Sequence, residues 1–245
     1  MRQFLRAVTL LRDRVEDFDV YPFSIPAIRA LETLDLDPRV TFLVGENGSG
    51  KSTLLEAIAI ACRFNPEGGS VNLNFATRAS ESSLHEYLRI VRGAARPRDG
   101  FFLRAESYFN VGTELEKVTT LADYGGVSVH EQSHGESFLR LVEHRFGGDG
   151  LYLLDEPEAA LSPSRQLSFL TLLDDLVRRR RSQFLIATHS PIIMAYPGAT
   201  IVQLDADGLR EVAYEDTEHF RITRDFLAAP QAFLRHLMDD TEAPS

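Results

Sequence analysis

The sequence predicts an α/β protein: a mostly parallel central sheet, an antiparallel β portion at the N-terminal end and an inserted helical subdomain. Three observations carry that prediction. Short, wholly apolar runs, "TFLV", "LYLL" and "FLIA", recur along the chain. Strands of a parallel sheet are buried on both faces and read as such runs. Segments of helical periodicity separate them, which implies right-handed crossovers. Finally, 245 residues with 44% hydrophobic and 25% charged content suit one large soluble domain, taken here as residues 1–245.

Taken in order, residues 2–15 and 27–36 are expected as early strands, and Arg39 to Val44 as a short one. Lys51 to Arg63 has Leu54, Leu55, Ile58 and Ala61 at helical spacing. "NPEGGS" then breaks the pattern. Residues 71–147 are expected as the inserted helical subdomain. Within it "SLHEYLRIVRG" reads as a helix ending at Gly93, "FFLRA" as a strand, residues 107–120 as helical and Ser137 to Phe146 as a helix. Leu151 to Asp155 and Gln183 to Ala187 are strands flanking a helix from Pro163 to Arg180. Thr200 to Leu204 and Leu209 to Ala213 form a hairpin around "DADG", and one or two short helices follow Thr217.

Composition excludes several functions. A net charge of −10 argues against coating nucleic acid through bulk electrostatics. The run Arg178 to Arg181 is read as a helix's last turn, where cations suit the carbonyl end, rather than as a binding patch. Cys62 is the single cysteine, so no disulfide forms within the chain and a reducing cytoplasm is expected. No segment approaches the ~20 apolar residues that span a bilayer, and the amino terminus does not read as a signal peptide.

The chemistry begins at "GENGSGKS", Gly45 to Ser52, which fits G-x-x-x-x-G-K-[ST]. Glycines let the backbone curl so that successive N–H groups point inward. Glu46, Asn47, Gly48, Ser49 and Gly50 form this cradle, and Lys51, Ser52 and Thr53 open the following helix, whose amino end favours anions. Lys51 can reach the β- and γ-phosphates of a nucleotide, and Ser52 can place its hydroxyl on Mg²⁺. "LYLLDEPEAALSP" supplies a second half, with Asp155 at a strand's carboxyl end, beside the glycine turn if the two strands are neighbours. Asp155 would hold Mg²⁺, directly or through water. Glu156 could orient or deprotonate the attacking water. "FLIATHSP" repeats the pattern, bringing His189 to the same sheet edge, 33 residues after Glu156.

These residues together resemble the ATP-binding-cassette (ABC) class of P-loop ATPases, and more closely its stand-alone soluble members. The likeness runs from about Tyr21 to Leu204. It implies ATP and Mg²⁺ as ligands and an ATP-sandwich homodimer. In that family a signature at a helix start contacts ATP held by the other subunit. The matching stretch is Ser133, His134, Gly135 and Glu136, 22 residues before Asp155. His134 and Glu136 depart from the family's glycine and glutamine. The family also uses a glutamine on the metal side. None fits here, and Glu106 stands where it would be. Tyr21, 24 residues before Gly45, is either the aromatic that stacks on adenine or a core tyrosine beside Pro22. A rival pairing of His130 with His134 as metal ligands lacks further clustered Cys or His.

The leading expectation is an ATPase that drives an unidentified protein or nucleic-acid process. One alternative is a nucleotide-gated clamp on DNA, RNA or protein with little turnover. A transporter's motor subunit is another, its membrane part supplied by a partner. A small-molecule kinase would not need Asp155, Glu156, the signature and His189 together.

Overall fold

The computed structural model describes residues 2–65, 69–70, 82–104 and 134–239. Its main sheet has seven strands in the order β10-β9-β3-β8-β7-β6-β4. These are β3 (Val40–Val44), β4 (Gly69–Ser70), β6 (Asp99–Arg104), β7 (Gly150–Asp155), β8 (Gln183–Ala187), β9 (Thr200–Asp205) and β10 (Gly208–Val212). The five strands from β9 to β6 run parallel, and β10 and β4 pair antiparallel at the two ends.

Every residue of β3, β7 and β8 is buried, as the apolar runs predict. The pleat divides them between two cores. Leu43, Leu151, Leu153, Leu185 and Ala187 face one layer. Phe42, Val44, Tyr152, Leu154, Phe184 and Ile186 face the other.

The first layer contains α2 (Lys51–Ala61) and a three-stranded antiparallel sheet, β2-β1-β5. Its strands are β1 (Leu5–Leu10), β2 (Thr33–Asp35) and β5 (Leu88–Arg92). The second layer contains α3 (His134–Arg145), α4 (Pro163–Arg178) and α5 (Pro191–Met194). Two further helices, α6 (Glu218–Ala228) and α7 (Pro230–Asp239), close the described chain.

A buried amide joins the two sheets. Gln183, at the start of β8, accepts hydrogen bonds from the Phe4 and Leu5 amides, both at 2.9 Å. Its own amide donates to the carbonyls of Leu5 at 2.7 Å and Asp37 at 2.8 Å. One side chain thus satisfies four main-chain groups, three of them in buried contacts.

Several expectations need correction. Residues 27–30 belong to a short helix, α1 (Pro26–Ala30), because Pro26 fits a helix's first turn and has no N–H to lend a sheet. The strand expected over 2–15 is confined to β1, followed by a 3-10 turn at Arg12–Arg14. "SLHEYLRIVRG" is a 3-10 turn at Ser83–Tyr87 followed by β5. Pairing of β5 along β1 outweighs the local helical spacing. Thus, within the interval 71–147, residues 88–92 and 99–104 are strands of the two sheets. The helix expected at 107–120 lies outside the described residues.

The arginine run behaves as the helix-end reading expects. Arg178 pairs with Asp174 at 2.7 Å, Arg179 and Arg180 with Asp175 at 3.6 and 2.9 Å, and Arg181 with Asp149 at 3.1 Å. Cys62 is buried, and desolvation pushes its thiol up to about 11, so it packs as an apolar residue.

Candidate nucleotide site

The site is built at the carboxyl edge of the parallel strands. After β3 the chain turns through Gly45 (φ 148°), Gly48 (φ 80°) and Gly50 (φ 98°), all left-handed. Two of these positions require glycine for space as well. A Cβ on Gly45 would lie 2.2 Å from the Leu204 carbonyl oxygen, and one on Gly50 would lie 2.9 Å from the Ile25 side chain. The turn's tip, Glu46 to Gly48, is exposed, and Ser49 is half-buried with its hydroxyl unpaired among the described groups.

Lys51, the first residue of α2, folds back across the turn. Its Nζ donates to the carbonyls of Gly45 at 2.8 Å and Glu46 at 3.0 Å. Burial lowers its pKa, against the opposing pull of Glu156, Asp155 and Glu46. Ser52 Oγ donates to Asp155 Oδ1 at 3.0 Å. Thr53, one residue further along α2, is half-buried.

Asp155 arrives from β7. The strands that carry the glycine turn and Asp155 are not neighbours, as β8 lies between them. The hydroxyl of Ser52 nevertheless reaches the carboxylate. Asp155 is 7% exposed, and desolvation raises its pKa to about 6. Arg104 Nε stands 3.9 Å from its other oxygen, and Arg104 Nη1 pairs with Glu56 Oε2 at 2.6 Å.

These residues fit a phosphate-bound Mg²⁺. The hydroxyl of Ser52 and the carboxylate of Asp155 are hard oxygen donors, and Mg²⁺ needs only one or two protein ligands beside phosphates and water. Among the described residues no group of three His, Cys, Asp or Glu could hold a metal alone. The cradle glycines and the unpaired Ser49 hydroxyl suit an anion held by main-chain amides.

Glu156 takes a left-handed conformation (φ 50°, ψ 54°), costing about 1 kcal/mol for a side chain of this type, while its N–H donates to Ala187 O at 2.9 Å. The turn leaves its carboxylate facing His189, with Oε1 3.4 Å from His189 Nε2. His189 is delivered by β8. Burial chiefly, and then Lys51, lower its pKa against the pull of Glu156, which favours the neutral ring. The structure therefore brings Lys51, Ser52, Asp155, Glu156 and His189 together at one edge.

Two supporting groups escaped sequence reasoning. Glu158 accepts hydrogen bonds from Thr188 Oγ1 at 2.8 Å and the His189 amide at 2.5 Å, fixing the turn that carries the histidine. His219, in the first turn of α6, places Nε2 2.9 Å from His189 Nδ1. Their partners lie 30 or 31 residues away, and no local pattern signals either contact. Ser190, next to His189, caps α5 by accepting from the Ile193 amide at 3.2 Å and donates to Gln166 at 2.5 Å.

Beside the turn lies a pocket of about 310 Å³, bordered by Glu46, Asn47, Ser49, Gln203, Asp205 and His219. A larger groove of about 620 Å³, near Tyr196 and Tyr214, contains none of the motif residues. Tyr21 is 65% exposed, four residues before the Ile25 that packs over Gly50.

Of the signature stretch, Ser133 lies outside the described residues, as does Glu106. His134 begins α3. Gly135 is buried against its own chain, since a Cβ there would meet Ala160 O at 2.9 Å and Arg165 Cδ at 2.8 Å. Glu136 pairs with Arg165 at 3.6 Å. No described helix is long and apolar enough to cross a membrane.

Two family models match parts of this chain. Residues 22–116 match the family described as "AAA domain". Residues 123–195 match "AAA domain, putative AbiEii toxin, Type IV TA system". The aliphatic sulfonates import ATP-binding protein SsuB 2 of Rhodococcus jostii (strain RHA1) is 30% identical over 168 residues, 65% of this chain and 66% of that protein. The thiamine import ATP-binding protein ThiQ of Histophilus somni (strain 129Pt) is 29% identical over 167 residues, 60% of this chain and 74% of its own length. About a third of the first relative and a quarter of the second thus lie outside the match. The SMC head domain from Thermotoga maritima aligns over 86% of this chain and 98% of that one, with a TM-score of 0.46 and 18% identity. With the glycine turn, Ser52–Asp155 and Glu156–His189 on one sheet edge, and with these sequence relatives, the chain is similar to the ABC type of P-loop ATPases.

Proposed function

We propose that two copies of this chain close on ATP, each cradling one triphosphate and covering the other's, and that hydrolysis reopens them. The observation that supports this best is the convergence of Ser52–Asp155 and Glu156–His189 on a single edge.

The main-chain amides of Glu46 to Lys51 hold the β- and γ-phosphates, and Lys51 moves from the carbonyls of its own turn to a phosphate oxygen. Ser52 and Asp155 hold Mg²⁺, which when bound neutralises phosphate charge. Glu156 orients a water and takes its proton as the oxygen attacks the γ-phosphorus. The bond to the ADP oxygen breaks, and inorganic phosphate leaves. His189 holds Glu156 and the γ-phosphate in line. Most of the acceleration is positioning and charge stabilisation.

In this reading residues 71–147 carry the segment that meets the partner copy, with Ser133, His134, Gly135 and Glu136 directed at the γ-phosphate. Glu106 stands on the metal side and Tyr21 against adenine. The chain works in the cytoplasm, on a protein or nucleic-acid process. A second reading, the motor subunit of an importer, is supported by the names of both relatives.

The test is Glu156→Gln, examined by light scattering with ATP and Mg²⁺. The proposal expects a dimer with ATP, monomer with ADP, and turnover reduced at least about 100-fold. A monomer under every nucleotide condition would overturn the sandwich. A membrane protein co-purifying with the trapped form would favour the importer reading.

A further inference from the structure

We infer that His219 is a positioning residue for the proposed hydrolysis, donating from Nε2 to His189 Nδ1 so that the His189 proton sits on Nε2, facing Glu156. The inference rests on the proposed reaction for its consequence, whereas the contact itself can be tested without nucleotide.

The two nitrogens of His189 have different surroundings. Nδ1 lies 2.9 Å from His219 Nε2. Nε2 is buried with no hydrogen bond among the described groups, and Glu156 Oε1 stands 3.4 Å away. A neutral imidazole has one N–H and one lone pair. A carboxylate and a phosphate oxygen are both acceptors, so a useful Nε2 must carry the proton. Nδ1 then presents its lone pair and requires a donor. His219 Nε2 is the group in place to donate.

The opposite arrangement is unfavourable. With the proton on His189 Nδ1, the lone pair of Nε2 would face the Glu156 carboxylate. Protonating both nitrogens is opposed by burial and by Lys51. Burial likewise lowers the pKa of His219, favouring the neutral ring with one proton to direct.

The start of α6 sets the place of His219. It is the second residue of α6, whose buried N-cap, Thr217, accepts from the Phe220 amide at 3.4 Å. Phe220 packs on Tyr214 with ring centroids 4.5 Å apart. The His189 and His219 rings meet edge-on at 5.1 Å. Positioning of a histidine by a hydrogen bond to its second nitrogen is a general device.

The protein with ¹⁵N-labelled histidine is examined without nucleotide. Wild type is expected to show a protonated, pyrrole-type Nε2 and a pyridine-type Nδ1 for His189. His219→Ala is expected to lose that preference. In steady-state assays His219→Ala should lower kcat about 10- to 100-fold, with KM changing less than about 3-fold. His219→Gln keeps an N–H donor and should recover most of the rate. In a His189→Ala background, His219→Ala should add nothing.

A proton on Nδ1 of wild-type His189, unchanged turnover in His219→Ala, or equal losses in both backgrounds would each overturn the inference. If wild type hydrolysed no ATP, the proposed reaction would fall and the spectrum alone would decide this contact. If His219→Ala failed to fold, the wild-type spectrum and His219→Gln would decide it.

Discussion

Ser52 and Asp155 are hydrogen-bonded at 3.0 Å although β8 separates the strand that leads into the helix of Ser52 from the strand that ends in Asp155. In the absence of nucleotide this carboxylate is expensive, because it is buried and its pKa rises from 3.8 to about 6. Between those values the folded protein keeps a proton that the unfolded chain has released. This group's contribution to stability therefore falls as pH rises from about 4 to 6 and stays low above. Asp155→Asn should stabilise the nucleotide-free protein by about 2–3 kcal/mol at pH 8, with the gain vanishing near pH 4. Urea melts at several pH values measure it. A gain independent of pH would show that the cost lies elsewhere. The same variant should abolish turnover.

Glu158 is expected to matter almost as much as the residues that face the phosphate. Removing its carboxylate leaves the Thr188 hydroxyl and the His189 amide without their acceptor. Glu158→Ala should cost about 2–3 kcal/mol in denaturant melts and lower kcat at least about 10-fold through a displaced His189. Glu158→Gln keeps one acceptor oxygen and should lie between.

The buried amide of Gln183 serves four main-chain groups at once. Gln183→Leu preserves volume and strands all four, so a loss of about 3–5 kcal/mol is expected, read as a lower urea midpoint. Protection of the Phe4 and Leu5 amides in hydrogen exchange should fall with it.

Gly135 offers a test of packing at the start of α3. Alanine there gains helix propensity, about 1 kcal/mol, but its Cβ meets the Ala160 carbonyl at 2.9 Å. The carbonyl belongs to backbone and cannot swing away. Gly135→Ala should therefore lower Tm by several degrees and disturb the Arg165–Glu136 pair. Gly135→Val should be worse.

Much of this site is legible in sequence because its parts sit at the ends of strands that are apolar throughout. "TFLV", "LYLL" and "FLIA" announce β3, β7 and β8, and the residues that follow each run are the reactive ones. What sequence misses are contacts made across the fold. "LRIVR" pairs with β1, a partner some 80 residues away, and no local spacing favours that over a helix. Gln183 opens a strand and looks like any polar border residue. His219 reads as a lone histidine in a charged helix start. The order of strands was also hidden, since apolar runs show that β3 and β7 are buried without showing that β8 divides them.

That dividing strand has a lasting effect. Peptide ladders hold neighbouring strands about 4.8 Å apart, so β3 and β7 stand two rungs, roughly 9.6 Å, from each other. The jaw in which a triphosphate would lie thus takes its gauge from main-chain geometry. Substitutions in either core can loosen the walls behind it, yet none resets its width. A slip of β8 by one residue, in contrast, would carry His189 out of line while both jaws stayed where they are.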